Sequence, residues 1–183
     1  MSIRIANEND ILPMLEIYRP FVEQTAISFE YETPTAAAFL QRFREITKQF
    51  PWLVWEEAGC VLGYAYAAAP FERAAFSWCA EPSIYLAPQA RGKGIGRRLY
   101  AALEDALHRQ GYQVLYAIIT SDNEPSIAFH EALGYQFLAQ FPSCGFKNGN
   151  WHGVTWMEKR LAFVEMPTDM PTPFSAVGNT DQK

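Results

Sequence analysis

Cations are scarce in this chain: 15 Lys and Arg stand against 20 Asp and Glu, for a net charge of −5. The broad basic face that grips a phosphate backbone is therefore missing, which argues against general nucleic-acid binding. Cysteine is scarce too. Cys60, Cys79 and Cys144 are odd in number, widely spaced and form no CxxC pair, so they spell out neither a disulfide framework nor a metal-ligand set. Buried, reduced thiols are expected. The three histidines, His108, His130 and His152, have no metal-ligand spacing, and no metal is expected. No apolar run reaches the ~18 residues of a membrane span. The first residues also lack a basic stretch leading into an apolar one, so a cytoplasmic protein that avoids membranes is expected.

What is present suits one domain with a full core: 183 residues, 49% of them hydrophobic and 19% charged. Ser2 to Ala6 reads as a strand. Asn9 and Asp10 offer an N-cap for a helix on which Ile11, Leu15, Tyr18 and Val22 recur. A second helix starts at Thr33-Pro34, carries Phe39, Phe43 and Ile46, and ends by Pro51. Trp52 to Glu56 and Val61 to Ala68 form a hairpin turning at Ala58-Gly59. Phe76 to Leu86 reads as a longer strand, with Pro82 implying a bulge or break. A central helix runs from about Gly94 to Arg109, with Ile95, Leu99, Leu103 and Ala106 inward and Gly111 as its stop. Val114 to Ile119 is nearly all apolar, which suggests a strand buried on both faces and paired in parallel. A short helix from Glu124 to Leu133 follows, then a closing antiparallel pair, Tyr135 to Phe146 and Trp151 to Leu161. The domain is expected over 1–163, and 164–183 as a flexible or surface-lying tail.

The densest chemistry lies between strand and central helix. Gly92, Gly94 and Gly96 alternate there, flanked by Arg91, Lys93, Arg97 and Arg98. Glycines at a strand-to-helix turn allow close approach to an anion, and the free N–H groups of the helix start face it. A pyrophosphate is the expected guest. The chain contains no GxxxxGK[ST], which excludes a P-loop, and Arg97 stands where a dinucleotide fingerprint needs its last glycine.

What remains, Gln89-Ala-Arg-Gly-Lys-Gly94, resembles the acetyl-CoA loop of the GNAT N-acetyltransferases. Trp78-x-x-Glu81-x-Ser83-Ile-Tyr-Leu86, Asn123-x-x-Ser126, His130-Glu-Ala-Leu-Gly-Tyr135 and Gly145-Phe-Lys-Asn-Gly-Asn-Trp-His152 narrow the resemblance to the phosphinothricin and methionine sulfoximine acetyltransferase branch, over roughly residues 2–160. It implies an α/β (α+β) fold, with a mixed sheet of about seven strands whose central parallel strands splay, flanked by about four helices. It implies acetyl-CoA as co-substrate. Ile84, Tyr85 and Leu86 would pair with pantetheine, and the turn Gly92 to Arg97, including Ile95, would hold the pyrophosphate with Arg91 and Lys93. Asn123 and Ser126 would also meet the cofactor.

Glu81 corresponds to the family's catalytic glutamate, and apolar neighbours would raise its pKa and make it a better base. Asn123, Ser126 and His130 fall on one polar stripe of a helix. His130 stands where many relatives carry a tyrosine acid; whether Glu81 or His130 is the base is left open. His152 is read as structural. A small amine would enter among Phe29, Glu32, Pro70, Phe71, Arg73, Glu81, Pro82 and Ser83. Ala69 stands where sulfone- and sulfoximine-acetylating members have arginine, with Arg73 as the substitute carboxylate clamp, and Gly153 replaces a family aspartate. A homodimer is implied. The leading expectation is acetyl transfer to a small amino-acid-like amine in a ternary complex; the alternatives are a non-catalytic acyl-CoA sensor and an acetyltransferase for another amine or a peptide.

Overall fold

The computed structural model describes residues 1–167 and 169–177. Seven strands form one sheet: β1 (Ser2–Ile5), β2 (Trp52–Glu57), β3 (Cys60–Ala68), β4 (Cys79–Leu86), β5 (Val114–Thr120), β6 (Gln136–Lys147) and β7 (Asn150–Arg160), in the order β1-β2-β3-β4-β5-β7-β6. Every neighbouring pair is antiparallel except β4 and β5. The helices are α1 (Ile11–Glu23), α2 (Ala36–Thr47), α3 (Ile95–Gln110), α4 (Glu124–Glu131) and a last single turn, α5 (Phe174–Val177). This is the mixed, splayed sheet implied by the resemblance. Among the described residues no helix is long and apolar enough to cross a membrane.

Two apolar layers sandwich the sheet. Met14, Tyr18 and Val22 of α1 and Phe39 and Phe43 of α2 cover one face, packing on Trp52, Val54 and Tyr64. On the opposite face Ile95, Leu99, Leu103 and Leu107 of α3 meet Ala65, Ala67, Ala80, Leu115 and Ala117. Each buried leucine of α3 contributes about 2 kcal/mol of apolar transfer. The period of 3.6 that announced α3 is thus the period of its burial.

Several local expectations change. Cys60 and Cys144 are exposed and Cys79 is half-buried, none of them in a disulfide: Cys60 opens β3, and Cys144 lies in the irregular stretch of β6 between Phe141 and Gly145. The second helix starts at Ala36, where the Thr35 hydroxyl accepts the Ala38 N–H at 3.2 Å; Thr33-Pro34 lies in the preceding loop. Asp10 is the N-cap residue of α1 but makes no side-chain cap to it; its carboxylate accepts the Asn7 N–H at 2.8 Å, in a capping box with Asn7 around the 3-10 turn Glu8–Asp10, and is held by Arg4 at 2.7 Å. Phe76 belongs to a 3-10 turn, and β4 begins three residues later. β5 alternates between buried and half-buried positions rather than being buried on both faces, and only two residue pairs join it to β4 in parallel. Nor does Pro82 make a bulge: the β3–β4 register runs through Ala67↔Pro82 without a shift.

Beyond residue 163 the described part of the tail lies against the domain. Trp78 Nε1 donates to Asp169 O at 3.1 Å, Gln110 Nε2 donates to Thr172 O at 2.8 Å, and Pro171 is buried. Residues 178–183 of the expected tail lie outside the described residues.

Candidate active site

Two central strands part in the middle of the sheet. Their pairing ends at Cys79↔Val114 and Ala80↔Leu115, after which no further β4–β5 pair forms. The Ala87 N–H donates to Leu62 O on β3 at 2.9 Å. Alternation along an extended strand then turns the N–H groups of Tyr85, Ser83 and Glu81 toward β3, and those of Leu86 and Ile84 toward β5. Next in the second series is Pro82, which has no N–H to leave stranded. The sequence therefore places its strand proline on the side where the ladder stops. The resulting cleft encloses about 70 Å³ between Pro82–Tyr85 and Ala117–Thr120, with Tyr100, Asn123, Ser126 and His130 on its inner wall.

Glu81 stands one residue past the last parallel pair. It shares a strand face with Ser83 and Tyr85, and Tyr85 packs edge-on against Tyr18 of α1 at 4.8 Å. Burial among these groups pushes the Glu81 carboxyl up from 4.5 to about 7. Desolvation of the carboxylate is the cause of that rise. Such a group is half-ionised near neutrality, the condition a general base needs.

His130 is 3% exposed. Its Nδ1 lies 2.7 Å from Ser126 O, an acceptor only, so Nδ1 carries the proton and donates. Nε2 is then a lone-pair acceptor, and the Tyr100 hydroxyl, 2.8 Å away, donates to it. Burial lowers the His130 pKa below its ordinary value and raises that of Tyr100 well above, so both are neutral at pH 7. Tyr100 O also lies 3.3 Å from Pro82 O, at the mouth of the parting. The polar stripe on α4 is real but partly spent on itself: Asn123 Oδ1 accepts the Ser126 N–H at 3.3 Å as the helix N-cap.

At the other end of β4, Gly94 caps α3 with φ of +74°, a left-handed conformation in which a side chain is strained. Gly96 faces Phe129 and Leu86 so closely that an added Cβ would stand 3.4 Å from each. The first N–H groups of α3 lack intrahelical partners, the condition for receiving an anion. Arg91 turns aside: its guanidinium lies 5.3 Å from the Phe21 ring centre and 3.4 Å from Leu86 O. Arg97 donates to Ala132 O at 3.4 Å, and Lys93 is exposed.

The remaining acceptor-side residues scatter more widely. Phe71 packs on Phe76, Tyr116 and Trp156. With Arg73 it lines a separate recess of about 310 Å³ that the tail residues Met170 and Pro171 share. Arg73, Glu32 and Phe29 are exposed, and Pro70 is half-buried. An added Cβ at Gly153 would meet Ser121 Oγ at 3.0 Å and Phe141 O at 3.1 Å; His152 takes its carboxylate partner from Asp122 instead, at 2.8 Å. Sequence reasoning missed Tyr100, whose place beside Leu99 on the inward stripe reads as core; a buried hydroxyl needing a partner was the available signal.

These features agree with known proteins. The Acetyltransferase (GNAT) domain family matches residues 3–156. The phosphinothricin N-acetyltransferase of Streptomyces viridochromogenes is 31% identical over 91% of each chain, and the L-amino acid N-acyltransferase of Escherichia coli is 36% identical over 88% of this chain and 94% of its own. The crystal structure of a GNAT phosphinothricin acetyltransferase from Sinorhizobium meliloti, in complex with acetyl-CoA, superposes with a TM-score of 0.86 at 36% identity, covering 93% of this chain and 92% of that one. A family match over residues 3–156 and relatives above 30% identity along most of both chains establish that this chain belongs to the GNAT family of acetyl-CoA-dependent N-acetyltransferases.

Proposed function

We propose that the protein acetylates the primary amine of a small amino-acid-like acceptor by direct attack, with acetyl-CoA and amine bound together. The observation that carries this reading is the carboxyl of Glu81, held at about 7, where β4 leaves β5. An ammonium must lose a proton before it can attack a thioester, and Glu81 takes it directly or through one water. The Ile84 backbone groups and the Leu86 N–H, without a strand partner on the β5 side, serve the pantetheine arm, the Leu86 carbonyl being held by Arg91, and one of these N–H groups serves the developing oxyanion. Residues 92–97, with Asn123 and Ser126 beside the cleft, receive the pyrophosphate. Tyr100 turns its hydroxyl away from the His130 lone pair to give its proton to the departing thiolate, is reprotonated from solvent as products leave, and returns to the resting position that His130 sets. Burial pushes the Cys79 thiol up and keeps it protonated, which favours direct attack over an acetyl-cysteine intermediate.

The activities of the relatives make L-amino acids and phosphinothricin the first acceptors to try. Purified protein, acetyl-CoA and a panel of amino acids, phosphinothricin, methionine sulfoximine and polyamines, read by release of free thiol, should give turnover confined to amino-acid-like amines. A protein that binds acetyl-CoA and acetylates nothing would be an acyl-CoA sensor instead. We assign the catalytic domain to 1–163 and the segment beyond it to a surface strap, supported by the Trp78 and Gln110 hydrogen bonds to it.

Two copies of the chain are proposed to pair through the β6–β7 hairpin. Phe137, Phe141 and Trp151 there expose 63%, 51% and 64% of their surface, a concentration of apolar area that favours a partner. Sedimentation should give twice the chain mass, and Trp151→Glu should return it to one; a monomeric parent protein refutes the pairing.

A further inference from the structure

Lys147 ends β6 beside an Asn-Gly turn, where a lysine is ordinarily solvated. Here it is 2% exposed. Its Nζ donates to Val22 O at 2.6 Å and to Ser28 O at 2.7 Å. Val22 lies in the last turn of α1, where carbonyls lack helical partners and the helix dipole is negative, so the ammonium caps that helix from a distant strand. With Ser28 as its other acceptor it also staples residue 22 to residue 28. Burial lowers the Lys147 pKa, while the nearby Glu30 carboxylate favours the charged form. A buried charge is a poor way to gain stability alone, since its desolvation offsets much of what its partners return.

What the staple holds is the loop between α1 and α2. The Ser28 hydroxyl is 2.6 Å from the Tyr18 hydroxyl and accepts the Glu30 N–H at 3.2 Å. Tyr18 in turn packs on Tyr85 of the cleft strand. The Tyr31 hydroxyl donates to Phe146 O, the neighbour of Lys147, and the Thr120 hydroxyl donates to Ala26 O at 2.7 Å. Between these ties Phe29 lies on Gly145, where an added Cβ would come within 2.3 Å of the Phe29 ring. The loop is sewn to β6 on one side and to the cleft strands on the other.

We infer that Lys147 is a positioning residue for the acceptor amine: its buried ammonium fixes residues 24–32, which set Ile27 on the lining of the cleft beside Pro82–Tyr85 and Phe29 against Gly145. This rests on the acetyltransferase reading above and adds the residue that sets acceptor affinity. Lys147 touches neither substrate in this role.

Lys147→Met separates position from chemistry. The amine KM should rise about tenfold or more, the scale of an ångström-sized misplacement, with the acetyl-CoA KM within about twofold of the parent, since the cofactor turn lies elsewhere. Amide exchange should accelerate over residues 24–32 and not over 84–97. Lys147→Cys alkylated to aminoethylcysteine should recover the parent amine KM, and the same cysteine capped with a neutral methylthio group should not; parent protein given each reagent controls for the other thiols. An unchanged amine KM in folded Lys147→Met, or an equal rise in both KM values, overturns the assignment. Should Lys147→Met not fold, Gly145→Ala displaces Phe29 without touching the cation and must raise the amine KM alone, or the assignment fails. The exchange measurement needs no turnover. A parent protein that acetylates nothing would therefore sink the enzyme reading while the pinning of the loop is still judged.

Discussion

Glu81→Gln is expected to lower kcat about 100- to 10,000-fold, the usual contribution of a positioned general base. In the parent protein the rate should rise with pH through about 7, as the carboxyl ionises; in the variant that limb should vanish. Stability should move the other way. Below pH 4.5 the carboxyl is protonated in both folded and unfolded chains and contributes nothing. Between 4.5 and about 7 the folded chain keeps a proton that the unfolded chain has lost, so stability falls as pH rises. Above that range the folded protein carries a desolvated carboxylate at a cost of up to about 3 kcal/mol. Glu81→Gln removes this cost, so denaturant unfolding should find the variant more stable at pH 8 and equal to the parent near pH 4. A variant with the parent's pH dependence of stability would show that the carboxyl is hydrated, and a variant with parental kcat would remove Glu81 as the base.

Tyr100→Phe should lower kcat about 100-fold, the lower end for loss of a general acid. The ring and its edge-on packing with Phe129 and His130 are kept, so the fold should be unaffected. The diagnostic is the leaving group. With an acetyl thioester of a more acidic thiol, which departs without help, the deficit should shrink toward nothing. His130→Ala should give a smaller loss with the same dependence, because His130 acts through the hydroxyl it orients. A deficit independent of thiol acidity would assign Tyr100 to packing and return the acid role to another group.

The architecture was legible because its signals are local. Apolar periodicity marks α1 and α3, Ala58-Gly59 has the positive φ angles of a hairpin turn, and Gly111, read as the stop of α3, sits in the left-handed conformation of a helix cap. Glu81 and the α4 stripe were singled out because each lies within a few residues of the motifs that carry the family resemblance. What escaped depends on contacts that sequence spacing does not encode. Tyr100 and His130 are 30 residues apart, and nothing along α3 marks one inward residue as bonded to the next helix's histidine. The acceptors of Lys147 lie 119 and 125 residues away, so its burial has no local cause. Pro82 was noticed, but only the sheet order shows that its missing N–H matters on the β5 side. The cysteines misled because a small thiol's preference for the interior is a weak rule against a position at the start of a strand, as for Cys60, or in an irregular strand segment, as for Cys144.

The two residue pairs that join β4 to β5 make the sheet two plates on a narrow hinge, β1–β4 and β5–β7. Strands at a sheet's rim are normally where spare hydrogen-bonding groups lie exposed; here a row of them lies in the interior. On the proposed reading, an extended polar chain docked along Ile84 and Leu86 would become a surrogate strand and let the plates act as one body. The donor would then be a temporary structural member as well as a reactant, and its release would mean unzipping a ladder.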